Sequence, residues 1–101
     1  MQSGLRIEWS DEAILNLDRI FDYIEENWSE REIRQFAKRL ERTLSSLSKY
    51  PASYPESLRF YGVRKCVLSP QTIIFYEYSR ERILLLSLFD TRQDPEKLKI
   101  K

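Results

Sequence analysis

The spacing of apolar residues changes once along the chain, and this change constrains the fold more than any other feature. Between Ser10 and Tyr50 the apolar residues recur every three or four positions, as on one face of an α-helix, whereas beyond Ser57 they alternate with a period of two, as in β-strands. Pro51 and Pro55 separate the two regions. Because each kind of element must bury its apolar side, the sequence predicts a two-layer α+β fold with helices packed on a sheet.

The helical region divides into two helices. Ser10 stands before two acidic residues, which is typical of a helix N-cap followed by an acidic first turn. Ser29, with Glu32 three residues later, predicts a capping box at the start of a second helix, so that residues 27–28 form the turn. Pro51 ends the second helix. A connection this short predicts that the helices form an antiparallel hairpin.

Strand-like alternation marks four segments, with Gly62 as a bend inside the second of them. Ile83–Phe89 is apolar on both faces apart from Ser87, which predicts a central strand that is covered on both sides. The helical hairpin accounts for one cover, and the pattern does not identify the other. The four predicted strands are Leu5–Trp9, Leu58–Leu68, Thr72–Tyr78 and Arg82–Phe89.

The elements follow the order β-α-α-β-β-β, and Asp94 with Pro95 predicts an additional short helix over Glu96–Lys101. We interpret residues 1–101 as one domain with a largely antiparallel sheet. Because the hairpin separates the first strand from the others, the pattern does not determine its neighbour in the sheet.

Histidine is absent from the chain, which excludes the commonest general base and every Ser-His or Cys-His nucleophile. The single cysteine, Cys66, cannot form an internal disulfide. Neither a glycine-rich phosphate loop nor a metal-ligand spacing occurs, so we expect no cofactor and no metal. The longest apolar run, Ile83–Leu86, is far shorter than the ~20 residues that cross a bilayer, and no leader pattern is evident. We therefore expect a cytoplasmic protein without membrane contacts.

The net charge of +1 is unevenly distributed along the chain. Residues 1–57 carry eight Lys and Arg against eleven Asp and Glu, a net charge of −3, whereas residues 58–101 carry nine against five, a net charge of +4. This excess predicts a basic surface on the C-terminal half, which suits a nucleic acid or an acidic partner but equally suits a solvated surface.

Four segments in a fixed order resemble the RelE/ParE superfamily of small bacterial toxins from type II toxin-antitoxin systems, which includes plasmid stabilisation proteins. The first has the form Ser-x-x-Ala-x-x-x-Leu-x-x-Ile-x-x-Tyr-Ile over Ser10–Ile24, and the second is a long helix that closes with Leu47 and Pro51. Gly62-Val63-Arg64 and the ending Arg92-Gln93-Asp94-Pro95 complete the set. The resemblance implies the same β-α-α-β-β-β order.

The superfamily implies two activities. RelE-like members cleave messenger RNA on the ribosome with a cluster of cations, whereas ParE-like members lack that cluster and are associated with poisoning DNA gyrase. If this chain were a nuclease, the resemblance would place Arg64 and Arg92 on the phosphate, with Tyr76 or Asp90 assisting proton transfer. Ile73 stands where the nuclease pattern has its central arginine. The resemblance therefore favours a ParE-like toxin that inhibits gyrase.

The resemblance also implies a cognate antitoxin, with contact to operator DNA only through that antitoxin. We assign apolar residues of the hairpin and sheet to the antitoxin contact and basic residues of the C-terminal half to the target contact. For Arg64 and Arg92 a structural role, on backbone carbonyls or on Asp90, stays an alternative. Two functional alternatives also stay open, a RelE-type messenger RNA endonuclease and a non-toxic module that only binds antitoxin. The antitoxin candidates are Ile14, Phe21, Phe36, Leu40, Phe75 and Leu86, and the target candidates are Arg64, Lys65, Arg80, Arg82 and Arg92.

Overall fold

Two helices pack against one face of a four-stranded sheet in the computed structural model, which describes residues 4–100. The sheet order is β1-β4-β3-β2; β1 runs parallel to β4, and the other two pairs are antiparallel. The predicted α+β fold and its largely antiparallel sheet are confirmed. The elements are β1 (Arg6–Trp9), α1 (Asp11–Asn27), α2 (Glu30–Lys49), β2 (Arg64–Ser69), β3 (Thr72–Tyr78) and β4 (Arg82–Asp90).

Local hydrogen bonds start both helices where the sequence predicts. The Ser10 hydroxyl accepts a hydrogen bond from the Ala13 amide at 3.0 Å and donates to the Leu86 carbonyl at 3.0 Å, so the cap of α1 is also tied to β4. At α2 the Ser29 amide donates to the Glu32 carboxylate at 3.0 Å, and the bonds from Ser29 lower the pKa of Glu32. Helix α1 includes one residue of the predicted turn, because it ends at Asn27.

The main core lies between the helices and the sheet. Ala13 and Leu47 from the helices meet Ile74 and Leu85 from the central strands, and all four side chains are fully buried. Asn16 of α1 makes a polar link across this layer: its side-chain oxygen accepts hydrogen bonds from the Ser87 hydroxyl and the Leu88 amide, both at 3.0 Å. Both bonds require Asn16 to lie opposite Ser87 and Leu88, so they hold helix α1 in one position along β4 and leave neither donor without a partner.

The second face of the sheet is covered by the segment that follows β4. Phe75 and Leu86 form a buried cluster there with Ile100, and Phe60 and Leu98 pack against its edge. The predicted helix over Glu96–Lys101 is wrong, because only Pro95–Lys97 forms a single 3-10 turn; Lys101 lies outside the described residues. Leu98 and Ile100 are two residues apart, so an extended chain brings both onto the sheet, whereas a helix would point them in opposite directions.

The predicted strand Leu58–Leu68 is wrong in its first half, because β2 begins only at Arg64. Residues 57–63 form a closed loop in which the Ser57 amide donates to the Val63 carbonyl at 2.6 Å. The Ser57 hydroxyl accepts hydrogen bonds from the amides of Arg59 and Phe60 at 3.1 and 3.2 Å. Alternation alone does not reveal such a loop, since its hydrogen bonds join the loop's own backbone and the Ser57 side chain and not a neighbouring strand.

Candidate functional site

The four residues that a nuclease would use lie in two separate places. Arg64 faces Tyr76 across the sheet, whereas Asp90 faces Thr72. Tyr76 and Thr72 are four residues apart on β3, which corresponds to about 13 Å at ~3.3 Å per residue. Arg64 and Arg92 therefore belong to opposite ends of the strand and do not converge on one phosphate.

Arg64 is held by groups of its own chain. Its guanidinium donates to the carbonyls of Ala52 and Tyr54 and lies 3.6 Å from the Glu56 carboxylate. It also stacks over the Tyr78 ring, 5.7 Å from the centroid. These contacts match the structural alternative, in which Arg64 joins the start of β2 to the loop that follows α2.

Tyr76 is fully buried, and its hydroxyl donates to the Pro51 carbonyl at 2.6 Å. Burial raises the pKa of this phenol well above its ordinary value. A phenol in this position stays protonated and has no access to a phosphate from solvent. The geometry thus contradicts a proton-transfer role for Tyr76 and assigns it to the packing of β3 against the loop at Pro51.

Asp90 and Arg92 form a bidentate pair at the end of β4. The Nε and Nη2 atoms of Arg92 lie 3.0 and 2.9 Å from the two Asp90 oxygens, and the Arg92 amide donates to the same carboxylate at 2.9 Å. The guanidinium stacks over the Tyr23 ring of α1 at 5.2 Å. The hydrogen bonds from Arg92 lower the pKa of the Asp90 carboxyl, and the same bonds with Asp90 raise the pKa of the Arg92 guanidinium. The Asp90 carboxylate thus holds the Arg92 guanidinium in this geometry, which is the contact that the structural alternative describes.

The substitution Asp90→Asn is expected to destabilise the chain at neutral pH by less than about 1 kcal/mol, because Arg92 is half exposed. Folding lowers the pKa of Asp90, so its charge stabilises the fold above about pH 4 and this stabilisation is lost as the pH falls through the pKa of the folded state. Urea denaturation of both proteins at decreasing pH measures the difference, which we expect to vanish in acid. A difference that persists unchanged below both pKa values would contradict the role assigned to the carboxylate.

The remaining basic candidates are dispersed. Arg82 at the start of β4 forms an ion pair with Glu8 of β1, and Glu8 also contacts Arg6 at 2.9 Å. These contacts lower the pKa of Glu8. Arg80 is exposed in the turn between β3 and β4, and Lys65 is half-buried on β2. The sequence candidates therefore do not form one continuous basic surface with Arg92.

Three of the six antitoxin candidates, Leu40, Phe75 and Leu86, are buried, which contradicts their assignment to a contact surface. Helical spacing identified Leu40 because it lies on the inward stripe of α2, and that stripe packs on the chain's own sheet. The other two lie beneath Ile100 in the second cluster. Among the rest, Ile14 is exposed, while Phe21 and Phe36 pack edge to face with ring centroids 5.5 Å apart.

A groove of about 890 Å³ opens between the helical hairpin and the end of the sheet where β4 finishes. Leu15, Tyr23 and Trp28 line it and are 44%, 43% and 48% exposed. The Tyr23 and Trp28 rings contact each other edge to face at 6.2 Å. Acidic side chains also border the groove, as do five basic ones: Arg19, Arg39, Arg92, Lys97 and Lys99. We call this surface the hairpin groove.

Leu15, Tyr23 and Trp28 are not among the contact residues that the sequence predicts. Leu15 and Tyr23 lie outside the apolar stripe of α1. Two large apolar residues on the otherwise acidic outer side of this helix are the sequence feature that could have indicated a contact surface. Single exposed apolar residues are common, but a cluster that faces one cavity marks an interaction site. Only the fold shows that the two residues face the same groove as Trp28.

Other kinds of site find little support among residues 4–100. No group of three His, Cys, Asp or Glu side chains there has an arrangement that could hold a metal ion. Neither helix in this part of the chain has the length and apolar character needed to span a membrane. Cys66 is buried, and desolvation raises the pKa of its thiol, so it packs as a neutral side chain.

Comparison with known proteins identifies the family. A family model described as the ParE toxin of the type II toxin-antitoxin system, parDE, matches residues 7–95. A search of curated proteins returned no match.

Solved structures share the fold at low sequence identity. A chain of the chromosomal ParDE toxin-antitoxin system from P. aeruginosa has a TM-score of 0.72 at 15% identity, with 86% of this chain and 96% of that chain covered. A chain of the E. coli DinJ-YafQ toxin-antitoxin complex has a TM-score of 0.62 at 11% identity, covering 88% and 94%. A copper-bound mutant toxin from Helicobacter pylori has a TM-score of 0.57 at 12% identity, covering 87% and 96%. Since the family model spans nearly the whole described chain, this protein belongs to the ParE family of toxins from type II toxin-antitoxin systems.

Proposed function

We propose that this toxin inhibits growth by binding DNA gyrase and that it does not cleave messenger RNA. The separation of Arg64 and Arg92 carries this proposal. Cleavage of a phosphodiester needs several cations around one phosphate, because charge develops there in the transition state. Each arginine is instead engaged by a carboxylate of its own chain. The choice of gyrase follows from the resemblance to ParE-like toxins.

We further propose that the hairpin groove holds a segment of the cognate antitoxin. The groove has the dimensions and the exposed aromatic lining that suit an amphipathic peptide segment. Its rim carries both cations and anions, so a segment with charges of both signs would find partners there. The ParDE and DinJ-YafQ structures come from toxin-antitoxin systems, which supports a protein partner of this kind. Both proposed partners place the toxin's action in the cytoplasm.

Induced expression of the chain without antitoxin tests the proposed target. We expect growth to stop while gyrase accumulates on cleaved DNA, and we expect the purified chain to inhibit supercoiling by purified gyrase. Primer extension on translated messages, from the same cultures, should show no new cleavage. Coexpression of the antitoxin should restore growth and serves as the control.

Two outcomes would overturn the proposal. Arrest with cleavage of translated messages and intact DNA would indicate a ribosome-dependent nuclease. Normal growth at an expression level confirmed by immunoblot would indicate the non-toxic module that only binds antitoxin.

A further inference from the structure

The loop of residues 57–63 presents two large apolar side chains entirely to solvent. Leu58 is 101% exposed and Tyr61 is 103% exposed, whereas no other large apolar side chain in the described part of the chain exceeds 65%. Neither residue contributes to the core clusters or lines the hairpin groove. They are three residues apart in one short loop, and large apolar side chains that one surface segment exposes fully are characteristic of contact sites. We call this segment the 57–63 loop.

Several contacts hold the backbone of the loop in place, although its two apolar side chains are exposed. Phe60, between them, packs into the second cluster, and Arg59 stacks over the Phe60 ring at 5.0 Å. Arg59 also donates to the Pro95 carbonyl at 2.7 Å, which ties the loop to the segment after β4. Gly62 adopts a φ of +78°, which favours glycine and closes the turn. A contact held in place before binding loses little conformational entropy when the partner arrives.

The charge of the loop indicates the chemistry of its partner. Residues 58–65 include three cations and no carboxylate. Glu56 compensates Arg64, while Arg59 and Lys65 have no carboxylate partner among the described residues. A protein pocket that is apolar at its centre and acidic at its rim would complement this arrangement. A nucleic acid is less suitable, since its binding depends on several uncompensated cations and the whole chain has a net charge of only +1.

We propose that the 57–63 loop inserts Leu58 and Tyr61 into an apolar, acid-rimmed pocket on the toxin's target protein. This inference rests on the proposed function in one respect, that the toxin acts by binding a protein target. The target contact is thereby separate from the antitoxin contact, because none of the loop residues lines the hairpin groove. The two surfaces adjoin at Pro95: its carbonyl accepts the hydrogen bond from Arg59 of the loop, and the next two residues, Glu96 and Lys97, line the hairpin groove.

The double substitution Leu58→Ser with Tyr61→Ser tests the inference. Both side chains are fully exposed, so we expect the variant to fold with the stability of the wild type. We expect it to lose growth arrest and to inhibit purified gyrase about 100-fold less well, since buried aromatic anchors dominate such contacts. Its affinity for purified antitoxin should be unchanged. Val67→Thr, at a 65% exposed position on β2, is the control and should keep full toxicity.

The possible outcomes separate this inference from the proposed target. A double variant that arrests growth and inhibits gyrase as the wild type does would overturn the inference and leave the gyrase proposal intact. If the variant loses arrest but the wild type does not inhibit gyrase, the loop contact holds and gyrase is the wrong target. A wild type that does not arrest growth would overturn both.

Three further results would assign the loop to another partner and overturn the inference. These are loss of antitoxin affinity in the variant, loss of a self-association that the wild type shows in gel filtration, and loss of duplex DNA binding by the isolated chain. Each is measured on the same purified proteins.

Discussion

Replacement of Ile74 by alanine is expected to lower the free energy of unfolding by about 3–4 kcal/mol. Ile74 lies on β3 with no solvent exposure and belongs to the core that joins the hairpin to the sheet. Truncation removes apolar contacts and leaves a cavity. Strand β3 is hydrogen-bonded to β4 on one side and to β2 on the other, so its backbone cannot easily move to fill that cavity. The free energy of unfolding of a small domain is only about 5–15 kcal/mol, so the variant should unfold at a clearly lower urea concentration.

Val67→Ala is the matched control for this substitution. Val67 is a β-branched residue in the same sheet, but it lies on the edge strand β2 and is 65% exposed. We expect the free energy of unfolding to fall by less than about 0.5 kcal/mol, since folding buries little of the Val67 side chain. Comparable losses for Ile74→Ala and Val67→Ala would contradict the placement of the core between hairpin and sheet.

Substitution of Tyr23 or Trp28 by alanine should weaken antitoxin binding by about 30- to 100-fold, or ~2–3 kcal/mol, because aromatic anchors in a groove contribute most of the affinity of such contacts. Both rings line the hairpin groove and contact each other. Because both are nearly half exposed in the free chain, the substitutions should change its stability much less than Ile74→Ala does. Isothermal titration of the purified chain with its antitoxin measures the affinity.

Two controls sharpen this measurement. Trp28→Phe keeps an aromatic ring in the groove and should recover part of the affinity that Trp28→Ala loses. The Leu58→Ser, Tyr61→Ser variant should bind antitoxin as the wild type does. Wild-type affinity in both alanine variants would show that the antitoxin binds elsewhere.

The sequence predicted best those features that depend on neighbours a few residues away. Ser10 caps α1 through the amide of Ala13, three residues along the chain, and β3 has the bounds that its alternation predicts. The continuous apolar character of β4 correctly predicted a central strand with both faces covered. These features are visible in sequence because capping and periodicity are local properties of the backbone.

The candidate site was less predictable for two physical reasons. Helical spacing locates apolar residues that point inward, so it selected Leu40, which the chain buries against its own sheet, and overlooked Tyr23, which projects into the hairpin groove. Alternation extended a strand over residues 58–63, where hydrogen bonds of the Ser57 side chain form a loop instead. That error concealed the exposure of Leu58 and Tyr61.

By itself, the sequence determined the element order, the ends of the helical hairpin, the central strand and, through its motifs, the likeness to ParE toxins. Only the tertiary structure decided that β1 pairs in parallel with β4, that Leu98 and Ile100 cover the second face, and which apolar side chains stay exposed. It also decided that Arg64 and Arg92 lie at opposite ends of β3, each engaged by its own chain. The physical reason is that these contacts join residues far apart in sequence. Such contacts form only in the arrangement of helices, strands and C-terminal segment that buries both faces of the sheet, and the local spacing of residues does not specify that arrangement.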